Sequence, residues 1–194
     1  MTHTEAAPRA AMPPPAPEAV KRLLAGWHWL ECAIAMTAYV IVSALLVTDV
    51  LGREFLGPVL RFVGFDAGGT GIYGSQKIAL YAMIIGSFLG LGIATATGVH
   101  LLPRIGFGWV PRAWGPHVDR IADVLTGLVV CAIAGYAWIF VQGTREAGTL
   151  GAVYDIHIWL IQLVIPIGFL SAGLRYFVFA LWPAVRPAPP EFQE

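Results

Sequence analysis

Four long stretches of this sequence are almost free of charged residues, and they constrain the fold more than any other feature. They cover residues 27–47, 78–99, 121–141 and 156–181. A helix needs about 20 mostly apolar residues to cross roughly 30 Å of hydrocarbon, and each stretch is long enough. None alternates apolar and polar residues with a period of two, so they predict helices and not barrel strands. The expected fold is an all-α membrane protein with four transmembrane helices.

Composition narrows the classes of function. Asp, Glu, Lys and Arg make up only 12% of the 194 residues, about half the share that a soluble domain usually carries. The 12 basic and 12 acidic residues cancel, which removes the electrostatic case for binding nucleic acid. No GxSxG, HExxH, P-loop or Rossmann motif occurs. We therefore expect no enzyme activity, no cofactor and no metal site.

The positions of Lys and Arg predict the orientation in the membrane. With four spans, both termini lie on the same side as the connection between the second and third spans. Eight basic residues fall on that side and four on the other, so the positive-inside rule places both termini in the cytoplasm. Residues 1–26 are expected to be a disordered proline-rich tail, 27–182 the membrane domain and 183–194 a C-terminal tail.

The connection between the first two spans, residues 49–77, mixes apolar and charged residues. Its apolar residues are interleaved with Arg53, Glu54, Arg61 and Asp66, and Pro58 divides them. This pattern predicts a short amphipathic segment lying in the membrane interface. The glycines that follow predict a flexible turn into the second span.

Small residues recur every four positions inside the spans, which places each set on one helix face. The sets are Gly86, Gly90, Ala94 and Gly98 in the second span, Gly127, Cys131 and Gly135 in the third, and Gly168 and Ala172 in the fourth. Such faces let helix backbones approach closely. Packing within the four-helix unit is the favoured interpretation for any one set. The alternative is that one set receives a helix of another protein.

Ionisable residues inside a span are costly and deserve attention. Glu31 lies about one turn into the first span with His28 on the same face, and Asp123 lies near the end of the third. A proton site or a pair of metal ligands is possible for Glu31 and His28, but pairing at the cytoplasmic interface is the favoured interpretation. Arg175, in the fourth span, is a candidate partner for either carboxylate.

Two other classes of function remain open. A haem-bearing anchor of a redox enzyme would need two histidines at similar depth, and His28 with His100 is the one conceivable pair. A self-contained small transporter would need polar groups at the midplane, where this sequence has apolar residues and glycine. The one mid-span helix breaker is Pro166, which we expect to kink the fourth span.

The order of motifs resembles the small four-helix membrane subunit of tripartite ATP-independent periplasmic (TRAP) transporters, the DctQ-like family. The resemblance covers roughly residues 27–182. The similar segments are 49–55 (DVLGREF), 74–81 (GSQKIALY), 88–90 (FLG), 98–100 (GVH) and 165–169 (IPIGF). Where the family often has Glu at the start of the second span, this chain has Gln76 and Lys77. A partner contact made there by relatives would differ in charge here.

The resemblance implies a division of labour in a bacterial inner membrane. A large membrane permease subunit would carry the substrate and sodium sites, and a periplasmic solute-binding protein would deliver an organic acid. This chain would be a scaffold for the large subunit, in contact with membrane lipid. The residues expected to face the partner or lipid are Arg53, Arg61, Gln76, Lys77, Gly86, Gly90 and Ala94.

Overall fold

The computed structural model describes residues 16–65, 69–99, 114–151 and 153–187. Its elements are α1 (Glu18–Leu51), a π-helical turn (Gly52–Leu56), α2 (Gly57–Phe62), α3 (Ser75–Thr97), α4 (Gly115–Glu146), α5 (Ile158–Gln162), α6 (Val164–Leu181) and a 3-10 turn (Pro183–Val185). Within these residues, four helical stretches are long and apolar enough to cross a membrane. The predicted all-α, four-span fold is confirmed.

The first helix is longer than the sequence predicts at both ends. It begins at Glu18, inside the segment expected to be a disordered tail, and continues without interruption to Phe62. Pro17 is the last proline before the helix, and residues 18–26 contain no residue that prevents helix formation. Lys21 and Glu18 add an ion pair of 2.8 Å across the first turn. The amphipathic segment is therefore a direct extension of the first membrane helix.

A π-helical turn joins α1 to α2 and places two glycines on one face. Pro58 has no backbone N–H for the usual helical hydrogen bond, and the wider turn precedes it directly. Gly52 and Gly57 are both buried against Thr70 of the returning chain. A Cβ added to Gly57 would lie 3.0 Å from the Thr70 hydroxyl oxygen. The returning chain is thus held against the glycine face of this segment.

The four long helices pack with α3 and α6 at the centre, α1 along α3 and α4 along α6. In the most apolar stretch of the fourth span, half of the residues are buried. In the corresponding stretches of the first and third spans, only 17% of the residues are buried. Ala35, Leu89 and Val164 form the centre of the apolar core between α1, α3 and α6. The outer faces of α1 and α4 are consequently available to lipid or to a partner.

Small residues determine how closely these helices approach. Gly168 of α6 lies against the backbone of Phe88 on α3, and Gly173 lies against Cys131 on α4. Gly127 of α4 receives the ring of Phe177. Packing inside the four-helix unit therefore accounts for most of the small-residue positions in the third and fourth spans.

The fourth span is interrupted one turn before Pro166. The structure divides it into α5 and α6, with Leu163 between them. A proline at 166 cannot donate to the carbonyl of Gln162, four residues earlier, so the helical hydrogen bonds lapse at this position. The interruption lies where the sequence predicts a kink.

Candidate functional site

A buried polar network links α1, α3 and α6 on the side of the molecule where α1 begins and α6 ends. The guanidinium of Arg175 pairs with Oε2 of Glu31 at 2.7 Å and also donates to the backbone carbonyl of Gly92. Oε1 of Glu31 accepts hydrogen bonds from the Ser171 hydroxyl and from the Trp27 indole, the latter at 2.9 Å. Both carboxylate oxygens of Glu31 and both terminal nitrogens of Arg175 thus have a hydrogen-bond partner from another turn or another helix.

The depth of burial shows what this network can do. Glu31 and Arg175 are each 3% exposed, so neither side chain is open to substrate or to bulk water. Gly92 is required beside them, because a Cβ there would lie 2.9 Å from the carboxyl carbon of Glu31. Breaking a buried ion pair by removing one partner is strongly destabilising, because it leaves an uncompensated buried charge. The network is therefore a buried clamp that joins α1, α3 and α6.

A second ion-paired cluster on the same side ties the chain after α6 to α4. Arg186 pairs with the buried Asp123 and lies 3.4 Å from a carboxylate oxygen of Asp119. The sequence left Glu31 and Asp123 as alternative partners of Arg175, and the structure decides between them. Arg175 pairs with Glu31, and Asp123 pairs with Arg186.

The opposite end of the helices carries an open cavity of about 350 Å³. The residues that line it come from the end of α1, the following π-helical turn, the returning loop and the first turn of α3. They are Asp49, Arg53, Gly69, Gly71, Ile72, Gly74, Ser75, Gln76 and Lys77. Two of the segments that resemble the family, 49–55 at the end of the first span and 74–81 at the start of the second, therefore meet at this cavity.

The side chains of this cavity differ in their exposure. Asp49 is buried and forms an ion pair with Arg53, whose own side chain is 48% exposed. Gly71 must lack a side chain, because a Cβ would lie 2.7 Å from a carboxylate oxygen of Asp49. Gln76 and Lys77 are exposed at the rim. Burial thus immobilises the carboxylate and leaves the two cations reachable.

The predicted interface residues of α3 do not share one environment. Gly86 is buried, and a Cβ there would lie 2.9 Å from the Tyr39 ring of α1. Gly90 has open space beside it, and Ala94 is partly buried. Arg61, on α2, is exposed. Gly86 is occupied by internal packing, whereas no atom of the described residues lies within 4 Å of a Cβ added at Gly90.

The histidines are not gathered into a site in the part of the chain that the structure describes. His28 contacts the thiol of Cys32 at 3.6 Å. Its candidate haem partner, His100, lies outside the described residues. Among the described residues, no three His, Cys, Asp or Glu side chains come together as a metal site would require. The metal-pair interpretation of His28 and Glu31 gains no support, since Glu31 pairs with Arg175.

Sequence reasoning missed three members of the buried network, namely Trp27, Ser171 and the Gly92 carbonyl. A signal for two of them was present, because Trp27 precedes Glu31 by four residues and Ser171 precedes Arg175 by four. A polar pair at this spacing lies on one helix face. Two such pairs in different spans indicate faces that can meet. The backbone carbonyl leaves no trace in the sequence.

The fold and these clusters define a multi-pass membrane protein whose buried charges are paired internally. A family model for the DctQ component of tripartite ATP-independent periplasmic transporters matches residues 41–184, about three quarters of the chain. The chain therefore belongs to this family, and it is a TRAP transporter small permease subunit. The family is a transporter component and not an enzyme family.

One curated relative illustrates how far the similarity extends. The chain is 23% identical over 152 residues to the ectoine TRAP transporter small permease protein TeaB of Halomonas elongata. The matched region is 78% of this chain and 72% of that protein. No solved structure matches the chain significantly. Neither comparison supports the haem-anchor alternative.

Proposed function

We propose that this chain is the scaffold subunit of a TRAP-type secondary transporter in a bacterial inner membrane, with both termini in the cytoplasm. A large membrane permease subunit carries the substrate path, and a periplasmic solute-binding protein delivers an organic acid. A sodium gradient drives uptake. Family membership supports the transporter role, and the excess of basic residues on the side of the termini supports the orientation.

The observation that carries the scaffold role is the pairing of buried charge. Glu31, Asp49 and Asp123 are the buried carboxylates of the described residues, and each has a guanidinium partner in the same chain. A transport site must instead present polar groups that a substrate or ion can engage and leave. Groups that are already paired and buried hold helices together. They offer no cargo site within the described part of the chain.

Reconstitution of the transporter in liposomes tests the proposed function. The neighbouring genes should encode a large multi-span membrane protein and a secreted binding protein, and these supply the other two chains. We expect uptake of a labelled carboxylate or sulfonate only when all three chains are present and an inward sodium gradient is imposed. Uptake by this chain alone would instead establish a self-contained transporter. Uptake that persists without the chain would contradict the scaffold role.

Replacing Gly90 by Leu tests the exposed face of α3 as a surface for the large subunit. Gly90 has open space beside it, so the leucine fits within this chain but obstructs a closely packed partner helix. Overpacking costs about 1–3 kcal/mol, so we expect about tenfold weaker association in detergent, which corresponds to roughly 1.4 kcal/mol. The measurement is the amount of large subunit that co-purifies across a dilution series.

Gly135 provides the matched control for this substitution. It lies on α4, where a Cβ also meets open space, so Gly135→Leu adds the same side chain on a different outer face. We expect co-purification to be unchanged for this variant. Equal association of the Gly90→Leu variant and the unmodified chain would show that this face of α3 does not contact the partner.

A further inference from the structure

The first helical stretch is longer than a membrane is thick. It runs for 45 residues, from Glu18 to Phe62, which is roughly 65 Å at about 1.5 Å per residue. A tilt of about 40°, the largest that membrane helices usually show, leaves roughly 50 Å of it along the membrane normal. A bilayer with its headgroups is only about 40–45 Å thick. The stretch therefore projects from the bilayer.

The part of this stretch that follows Asp49 projects on the side where α3 begins. Asp49 and Ser75 line the same cavity, so Asp49 lies level with the first turn of α3, a helix of 23 residues that is just long enough to cross the hydrocarbon. The π-helical turn and α2 add 5 and 6 residues, or roughly 15 Å of helix. The backbone keeps right-handed helical angles at Gly52 and Gly57, so the chain turns no corner. Because a headgroup layer is only about 5–8 Å thick, α2 ends in water.

This projecting segment, residues 52–63, exposes an apolar face. Gly52 and Gly57 lie against Thr70 of the returning chain, so the opposite face points away from the protein. Its side chains recur at the spacing of one helix face, and they are Phe55, Leu56, Val59, Phe62 and Val63. All five are exposed, and Phe62 is 93% exposed. An exposed apolar patch of this kind marks a protein interaction site, and acyl chains do not reach beyond the headgroups to cover it.

The apolar character of this face favours a partner that stays bound, because interfaces of permanent complexes are more apolar than those of transient ones. A soluble protein that delivers substrate has to leave after each delivery, and the face would then return to water. A second copy of this chain would share its orientation in the membrane, so the two projecting segments would stand parallel. Glu54 and Arg61 would each lie level with the same charge of the other copy, which opposes association.

We propose that the projecting segment, residues 52–63, is covered by the part of the large permease subunit that stands outside the bilayer. The contact is apolar, and Phe55, Val59 and Phe62 are its anchors, since buried aromatic side chains carry much of the energy of an interface. The inference rests on the proposed function, which supplies a permanently bound membrane partner. It adds a contact outside the bilayer that is separate from the face of α3 at Gly90.

Labelling of an introduced cysteine by a polyethylene-glycol maleimide too large to enter the bilayer tests this proposal. The Phe62→Cys chain is placed in lipid nanodiscs, which leave both membrane faces open to the reagent, either as a single copy or as the complex with the large subunit. The unmodified chain gives the background from Cys32 and Cys131. We expect rapid labelling of the single chain. In the complex, labelling should be at least about tenfold slower, because a permanent interface excludes the reagent.

Glu146→Cys is the matched control, because Glu146 is exposed at the end of α4 on the same side of the molecule, and α4 packs along α6, away from α1. It should label equally fast with and without the large subunit. Phe62→Cys that labels slowly in the single chain would place the segment in the bilayer and overturn the proposal.

The remaining outcomes separate this inference from the proposed function. Undiminished labelling of Phe62→Cys in an intact complex would overturn the inference and leave the proposed function standing. Failure of the large subunit to co-purify with the unmodified chain would contradict the proposed function itself. Protection that requires added binding protein would also overturn the inference, and so would protection by a second copy of this chain in one disc. Either result would assign the face to that partner instead.

Discussion

The Glu31→Gln variant is expected to lose about 3–5 kcal/mol of folding stability, the cost of removing one partner of a buried ion pair. Glutamine can still accept hydrogen bonds from Trp27 and Ser171. It cannot neutralise Arg175, which is only 3% exposed. For a chain of this size, such a loss corresponds to a fall of roughly 10 °C in the midpoint of thermal unfolding. Tryptophan fluorescence of the detergent-purified protein during heating measures this midpoint.

Glu18→Gln is the control for this variant. Glu18 also pairs with a cation, Lys21, but the two side chains are 73% and 46% exposed. An exposed pair contributes roughly 0–1 kcal/mol, so the midpoint should change by no more than a few degrees. If Glu31→Gln were no more harmful than Glu18→Gln, the buried clamp would not hold these helices together.

A double variant separates lost charge pairing from lost packing. Glu31→Gln combined with Arg175→Gln removes both charges, and the new amide at 175 retains a donor for the Gly92 carbonyl. Removing one partner of a buried pair is costly because the other charge is left uncompensated. The double variant leaves no such charge, so it should be more stable than either single variant. Additive losses would instead indicate that the two side chains stabilise the fold independently of each other.

The number of helices and their type could be predicted from the sequence because hydropathy is a local property. Each span contains its own long apolar stretch, and no contact elsewhere is needed to identify it. Helix ends were less predictable. The start at Glu18 follows from the absence of proline after Pro17, which the tail prediction over residues 1–26 overlooked.

The partners of the buried charges could not be predicted, because pairing depends on how each helix is rotated about its axis. The sequence places Glu31, Asp123 and Arg175 at similar depth and leaves both carboxylates as candidates for Arg175. The choice is made by helix order, since α6 lies between α3 and α4. The side of α6 that bears Ser171 and Arg175 faces α1 and α3. The depth of each residue in the membrane follows from its position in the sequence, whereas the rotation of each helix about its axis results from packing.

The π-helical turn shows a second limit of sequence reasoning. Pro58 indicates an irregularity, but it does not specify whether the chain bends, stops or widens its turn. The outcome depends on Thr70, which packs against Gly52 and Gly57 only when both glycines lie on the same face. A tertiary contact thus selects the local geometry. A prediction of an independent interfacial segment followed by a flexible turn could not include that contact.

The Gly168→Ala variant is expected to be strongly damaging for a single-methyl change, because the new carbon meets backbone and not a movable side chain. A Cβ at Gly168 would lie 2.9 Å from the carbonyl carbon of Phe88, and α3 and α6 would have to separate. Overpacking of this kind costs about 1–3 kcal/mol. The separation also pulls Ser171 and Arg175 away from Glu31, so the loss should reach the upper part of that range.

Gly135→Ala adds the same methyl group where nothing lies within reach of it. Alanine favours a helix over glycine by about 0.8–1.0 kcal/mol, so this variant should be as stable as the unmodified chain or slightly more stable. Thermal unfolding in one detergent compares the two directly. A variant that combines Gly168→Ala with Glu31→Gln tests whether the two sites are coupled. If Glu31→Gln costs less stability in that variant than it does alone, the contact of α3 with α6 and the buried ion pair form one cooperative unit. Additive losses would place them in separate units, with Gly168 acting on helix spacing alone.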